Sequence, residues 1–230
     1  MRKIIMLASL LLSAGNAWAN IVINGTRVLY PENNKEVIVQ LINTGDAPAL
    51  VQSWIDDGDI NSTPETANVP FLLSPPVVKV SEHNGQQLRI KKLPANLPGD
   101  RESVFFLNVL DIPPKPENIQ NQNTVQLAIK SRIKMFYRPA SLTGTLDNAT
   151  GKLTLIASGK QFRIVNDSPF HITVANISQG KIKLLQESPM VAPFSQLTVA
   201  TKNAVKRGQT YQLMYVDDLG AYKTRTLTSQ

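Results

Sequence analysis

The chain has no cysteine, only two histidines and, after residue 19, no apolar run long enough to cross a bilayer. Without cysteine there is neither a disulfide framework nor a thiolate metal site, so the fold stands on hydrophobic cores. His83 and His171 fall in different halves of the chain, and His83 sits beside a turn, which makes both weak catalytic candidates. A Gly-x-Ser-x-Gly elbow, a phosphate-cradling glycine loop ending in Lys-Ser or Lys-Thr, and a His-x-x-x-His pair are all missing. These gaps disfavour an enzyme. Asp56-Asp57-Gly58-Asp59 opens like a calcium loop but lacks the downstream glutamate, and reads as an acidic turn. There is no basic tail, fixed-period repeat or long amphipathic helix.

What is present starts with a leader. Arg2 and Lys3 precede the apolar run Ile4 to Leu12, and Ala17-Trp18-Ala19 forms a small-residue cleavage pattern before Asn20. This is the pattern of a secretory signal peptide over residues 1–19, with export to a bacterial periplasm as the expectation and no membrane insertion of the mature chain. Loss of Arg2 and Lys3 takes the formal charge from +7 to +5, a balance that favours acidic partners only weakly. Roughly 210 residues remain, enough for one large or two ordinary β domains.

Short β-rich runs separated by turn residues fill that length. In the first half they are Ile21 to Val28, Val37 to Ile42, Leu50 to Ile55, Val77 to Val80, Gln87 to Ile90 and Val104 to Leu110, followed by a longer segment. Asn84-Gly85 predicts a hairpin turn and Asn43-Thr44-Gly45-Asp46 a second turn. Seven strands over this stretch predict an immunoglobulin-like sandwich. Arg138-Pro139-Ala140-Ser141 stops the long run, because proline cannot donate to a ladder, and places a hinge over 139–143 between domains at 20–138 and 144–230. Beyond it, seven more runs between Lys152 and Thr228 predict a smaller β domain, with Asp147 to Gly151 as a turn near its start.

The long segment, Thr124 to Arg138, alternates for more than twice the length of an ordinary strand. Val125, Leu127, Ile129, Ile133, Met135 and Tyr137 are apolar, whereas Gln126, Lys130, Arg132, Lys134 and Arg138 are polar or basic. Period-two spacing makes it a strand with one greasy and one cationic face. The plain reading is a core strand with a solvated outer face; the length suggests that part of it serves something outside its own domain. A nucleic-acid surface built on Lys91-Lys92 and the basic face is not expected, since Phe105, Phe106, Phe136 and Tyr137 lie in predicted strands and pack there.

From Leu97 the chain reads Leu-Pro-Gly-Asp-Arg-Glu-Ser-Val-Phe-Phe-Leu-Asn-Val-Leu-Asp-Ile-Pro-Pro-Lys. Thr26-Arg27-Val28, Phe71 to Pro76, Ile133 to Pro139, Asn166 to Phe170 and Val216 to Gly220 add further landmarks over nearly the whole mature chain. This set resembles the periplasmic pilus chaperones, the PapD-like family. The resemblance implies two immunoglobulin-like β-sandwich domains at an angle with a cleft between them, and no cofactor or metal. It implies pilus subunits and an outer-membrane usher as partners, with the chaperone lending a strand to an incomplete subunit by donor-strand complementation.

By the same resemblance Val125, Leu127 and Ile129 enter the subunit's groove, and Arg27 and Lys134 hold its C-terminal carboxylate. Lys134 has the opposite parity from the three apolar residues, so a twist or bulge is expected to turn it toward the cleft. Glu102, Arg138 and Asp218 match a charge triad that bridges the domains, with Asp217 as an alternative to Asp218. Lys79 stands where many members have arginine, and the short connection from Pro114 to Asn123 resembles the short-loop subclass. An exposed apolar row implies self-association of the free protein. The competing reading is a secreted structural β protein such as a pilus subunit, which would lack one strand and usually carry a cysteine pair.

Overall fold

The computed structural model describes residues 20–114 and 126–230. The expected leader at residues 1–19, the short connection at 115–123, and Thr124 and Val125 of the long segment therefore lie outside the described residues. Apart from one short helix, the regular elements among the described residues are β-strands. The first half holds β1 (Ile21–Ile23), β2 (Arg27–Pro31), β3 (Val37–Asn43), β4 (Ala49–Asp56), β5 (Phe71–Ser74), β6 (Val77–Val80), β7 (Gly85–Lys92), β8 (Ser103–Ile112) and β9 (Ile129–Arg138). They form a four-stranded sheet, β1-β3-β7-β5, and a five-stranded sheet, β2-β9-β8-β4-β6. The inward residues of both, among them Leu41, Leu88, Ile90, Val51, Leu107 and Met135, close into one core.

The second half holds α1 (Leu146–Thr150), β10 (Thr154–Ser158), β11 (Gln161–Asn166), β12 (Ile172–Gln179), β13 (Ile182–Lys183), β14 (Met190–Val191), β15 (Ser195–Ala200), β16 (Thr210–Val216) and β17 (Tyr222–Thr228). Its sheets are β10-β11-β15 and β13-β12-β16-β17, with β14 paired to β12. Phe162, Ile164, Ile172, Ile177, Tyr211 and Leu213 fill a separate core between them. Each half is thus a sandwich whose strands alternate inward apolar and outward polar residues.

Four sequence expectations are corrected. The run Ile21 to Val28 is two strands, because the chain breaks at Gly25, whose φ of 126° suits glycine. β1 then pairs antiparallel with β3, whereas β2 crosses to the other sheet and pairs parallel with β9. Asn84-Gly85 does not make a hairpin. β6 pairs with β4 and β7 with β3 and β5, so the connection crosses between sheets, and His83 at φ 54° is the left-handed residue there. Both strands bury an apolar face, and opposite sheets satisfy this as well as one hairpin does.

β5 was hidden because it has only four residues between prolines at 70 and 75, yet Phe71 and Leu73 are buried. Finally, Asp147 to Gly151 is not a plain turn: 146–150 is helical, capped by Thr145 Oγ1, which accepts from the Asn148 backbone N–H at 3.2 Å.

Candidate functional site

The long alternating segment forms ladder pairs only from Ile129, at the end of the described chain that emerges from residue 126. On one side β8 pairs with it without interruption, from Asp111↔Ile129 to Ser103↔Tyr137. On the other side β2 covers only Lys134 to Arg138. Among the described residues no strand pairs with that second edge between Ile129 and Ile133. An edge of this kind presents unpaired N–H and C=O groups that can template another strand.

Of the twist or bulge expected from the parity of Lys134, the unbroken register shows no bulge. Met135 and Tyr137 point into the first core, and Ile133 packs against its margin. Lys134, Phe136 and Arg138 point the other way, toward the second sandwich. Phe136 lies 5.7 Å from the His171 ring, and Arg138 reaches Asp218. The strand therefore uses two faces. Leu127 and Ile129 have the core-side parity but extend past the core, where they are 72% and 44% exposed.

Arg27 on β2 is the register partner of Lys134, and side chains paired in this way emerge on the same face. Arg27 Nη1 donates to the Val216 carbonyl at 3.3 Å, and its guanidinium carbon lies 5.5 Å from the Phe136 centroid. Its Nε is buried with no hydrogen-bond partner among the described residues. The Lys134 ammonium makes no hydrogen bond or ion pair among the described residues. Burial, then the charges of Arg27 and Arg132, hold its pKa below 10.5. Burial also lowers the Arg27 pKa, opposed by Asp218, Asp217 and Glu102. Two half-buried cations with unused donors on one face have the chemistry to accept an anion such as a carboxylate.

Beside this pair lies the contact between the sandwiches. Arg138 Nε donates to Glu102 Oε1 at 2.7 Å, while Nη1 and Nη2 donate to the two Asp218 oxygens at 2.8 and 2.7 Å. Glu102 Oε2 accepts from the His171 backbone N–H at 2.8 Å, and the Glu102 N–H donates to the Pro169 carbonyl at 2.9 Å. Burial lowers the Arg138 pKa, but the Asp218 hydrogen bond and the charges of Glu102 and Asp218 outweigh it and raise the value. Asp217 is used differently: its Oδ1 accepts from the Leu219 and Ala221 N–H groups and shapes its own turn. In that turn Gly220 has φ 87°, and a Cβ there would collide with Thr26, the residue before Arg27.

Sequence reasoning did not find the group next to Lys134. Arg132 donates to both Asp56 oxygens, at 2.5 and 3.1 Å, and its guanidinium carbon lies 3.7 Å from the Phe106 centroid. Asn108 and the Gly58 N–H complete the Asp56 shell at 2.6 and 2.8 Å. Burial raises the Asp56 pKa, but the hydrogen bonds from Arg132, Asn108 and Gly58 prevail and lower it. Asp56 is thus the counter-ion of the cationic strand face. Only the register, which sets Asn108 opposite Arg132 and Asp56 opposite Phe106, brings these residues together.

Comparison with known proteins agrees with this architecture. The family models described as Pili and flagellar-assembly chaperone, PapD N-terminal domain, and Pili assembly chaperone PapD, C-terminal domain, match residues 20–143 and 148–227. The probable fimbrial chaperone YehC of Escherichia coli (strain K12) is 42% identical over 206 residues, covering 90% of this chain and 85% of the relative. The chaperone protein MrkB of Klebsiella pneumoniae is 45% identical over 206 residues, covering 88% of each. The crystal structure of the Pseudomonas aeruginosa CupB2 chaperone superposes with a TM-score of 0.76 at 32% identity, covering 91% of this chain and 100% of that one. With both halves matched in order and paired as immunoglobulin-like sandwiches, the chain belongs to the PapD family of pilus-assembly chaperones.

Proposed function

We propose that this chaperone works without ATP in the periplasm, caps pilus subunits by donor-strand complementation and passes them to an outer-membrane usher. The observation that carries the reading is the open edge of β9 from Ile129 to Ile133, adjoining the Arg27 and Lys134 pair. Strand addition of this kind takes affinity from main-chain hydrogen bonds and specificity from alternate side chains, and chaperone–pilin pairing is a standing example of it. In this reading Leu127 and Ile129, together with Val125, fill the subunit's groove. Arg27 and Lys134 hold its terminal carboxylate and so set the register from which those side chains are counted.

Both anchors are needed on magnitude. Three inserted aliphatic side chains give roughly 5 to 9 kcal/mol, whereas association costs about 4 to 15 kcal/mol. The main-chain ladder and the paired carboxylate supply the margin. Glu102, Arg138 and Asp218 act as the bridge that sets the angle between the domains, and we place the boundary at 139–143. The short Pro114 to Asn123 connection supports the short-loop subclass. Without a subunit, the exposed edge and its apolar row drive self-association.

The test is capture from the periplasm with the unmutated protein, Arg27→Ala and Lys134→Ala, with mass spectrometry of what co-elutes. A subunit held only by the unmutated protein is the expected result. Equal recovery with all three would move the subunit site out of the cleft.

A further inference from the structure

The net positive charge of residues 20–230 belongs to the second domain: residues 20–143 carry twelve Lys/Arg and twelve Asp/Glu, residues 144–230 ten and five. Seven of those ten, Lys160, Arg163, Lys181, Lys183, Lys202, Lys206 and Arg207, come from three short stretches that contain no acidic residue. Backbone bonds draw the three together. The Thr201 N–H donates to the Lys160 carbonyl, the Val205 N–H to Gly159 and the Lys202 N–H to Leu184, at 2.8 to 2.9 Å. Gln179 at the β12–β13 hairpin donates to Gln209 at 3.2 Å. All seven side chains are exposed, and none joins an ion pair among the described residues.

The cluster lies far from the cleft. β16 starts at Thr210 beside it and ends at Val216, which accepts from Arg27, and β12 runs from the interdomain contact at Ile172 to the cluster at Gln179. Seven residues at ~3.3 Å each separate the two ends by roughly 20 Å, beyond a Debye length of about 8 Å at physiological salt. The subunit cleft leaves these charges unused. At the tip of the hairpin, Ile182 is 55% exposed between Lys181 and Lys183. An apolar tip flanked by lysines, on a pole that carries five further cations, is the chemistry of an anionic bilayer surface: the cations meet phosphodiester headgroups and the isoleucine enters the acyl boundary.

We propose that this pole of the second domain is a peripheral docking site for an anionic phospholipid bilayer. The test is co-sedimentation of the secreted form with vesicles of phosphatidylcholine, with or without about one-third phosphatidylglycerol. The expected result is binding only to the anionic vesicles, reversed by high salt. Combining Lys202→Glu, Lys206→Glu and Arg207→Glu lowers the partition coefficient roughly 100-fold or more, at about fivefold per basic side chain. The same change of charge at Lys35, Lys79 and Lys91 leaves most of the binding. Since the chain has no cysteine, an environment-sensitive dye on Ile182→Cys reports insertion directly. It shifts to the blue with anionic vesicles, and the same dye on Ile38→Cys does not. Equal binding to neutral vesicles, insensitivity to the polar triple variant, displacement by millimolar glycerophosphate, or capture by polyglutamate without vesicle binding would each overturn the proposal.

Discussion

Arg27 and Lys134 are register partners in a parallel strand pair, so two cations share one face of the cleft while no carboxylate among the described residues contacts the lysine. Keeping an uncompensated charge half-buried costs stability. Lys134→Met therefore raises the melting temperature of the free protein by about 2–4 °C per kcal/mol recovered, while subunit binding is lost. Thermal unfolding beside a binding assay checks this. A lower melting temperature would mean that the lysine supports the fold.

The same group dictates a pH dependence. The folded pKa of Lys134 is held below that of the unfolded chain by burial, then by Arg27 and Arg132. The unfolded chain thus binds more protons between the two values, and stability rises with pH across that window. The gap between the protein and Lys134→Met should be full at neutral pH and shrink as pH climbs toward 10.5. Denaturant unfolding from pH 7 upward measures it.

Arg138 bridges Glu102 and Asp218, whereas Asp217 shapes its own turn and pairs with Lys223 at 3.7 Å, without touching Arg138. Arg138→Ala leaves Glu102 buried without its cation, and a loss of about 3 to 5 kcal/mol is expected. Asp218→Asn should loosen the relative placement of the domains in small-angle scattering, and Asp217→Asn should change it far less. Equal effects of the two aspartates would show that charge alone, not the bidentate contact, holds the arrangement.

Leu127 and Ile129 lie outside the core. Leu127→Glu and Ile129→Glu should leave the melting temperature within a degree or two, because exposed substitutions usually change stability by less than about 0.5 kcal/mol. Each should nevertheless weaken subunit binding by at least about tenfold, through the loss of roughly 1.5 to 3 kcal/mol of apolar burial. Calorimetry with a purified subunit separates the two effects.

Asp56 is ionised and hydrogen-bonded against Arg132, with its pKa lowered. Its contribution is complete above the unfolded value near 3.8 and disappears as pH falls through the lower folded value. Asp56→Asn should therefore cost about 3 kcal/mol at pH 7 and progressively less under acid. Parallel acid titrations followed by circular dichroism test the convergence.

Local patterns made much of this readable in advance. The alternation from Ile129 to Tyr137, Pro139 as a stop, and turn residues between short apolar runs all act within a few residues. The break at Gly25 and the four-residue β5 were missed because two short strands and one longer strand share the same alternation. Asn84-Gly85 misled because turn chemistry specifies a bend but not whether the flanking strands pair.

Alternation along the chain was enough to specify β-sandwiches after residue 19 and one strand with an apolar and a cationic face, because side-chain direction follows from period two alone. The sequence also supplied motifs in family order that pointed to Arg27, Lys134 and the Glu102, Arg138 and Asp218 group. Long-range strand pairing, in contrast, leaves half the β9 edge open beside β2, sets Asp56 rather than solvent against Arg132, and gathers seven cations from three separate stretches at one pole. Those outcomes depend on which distant strand lies beside which and at what register, and no spacing along the chain encodes that.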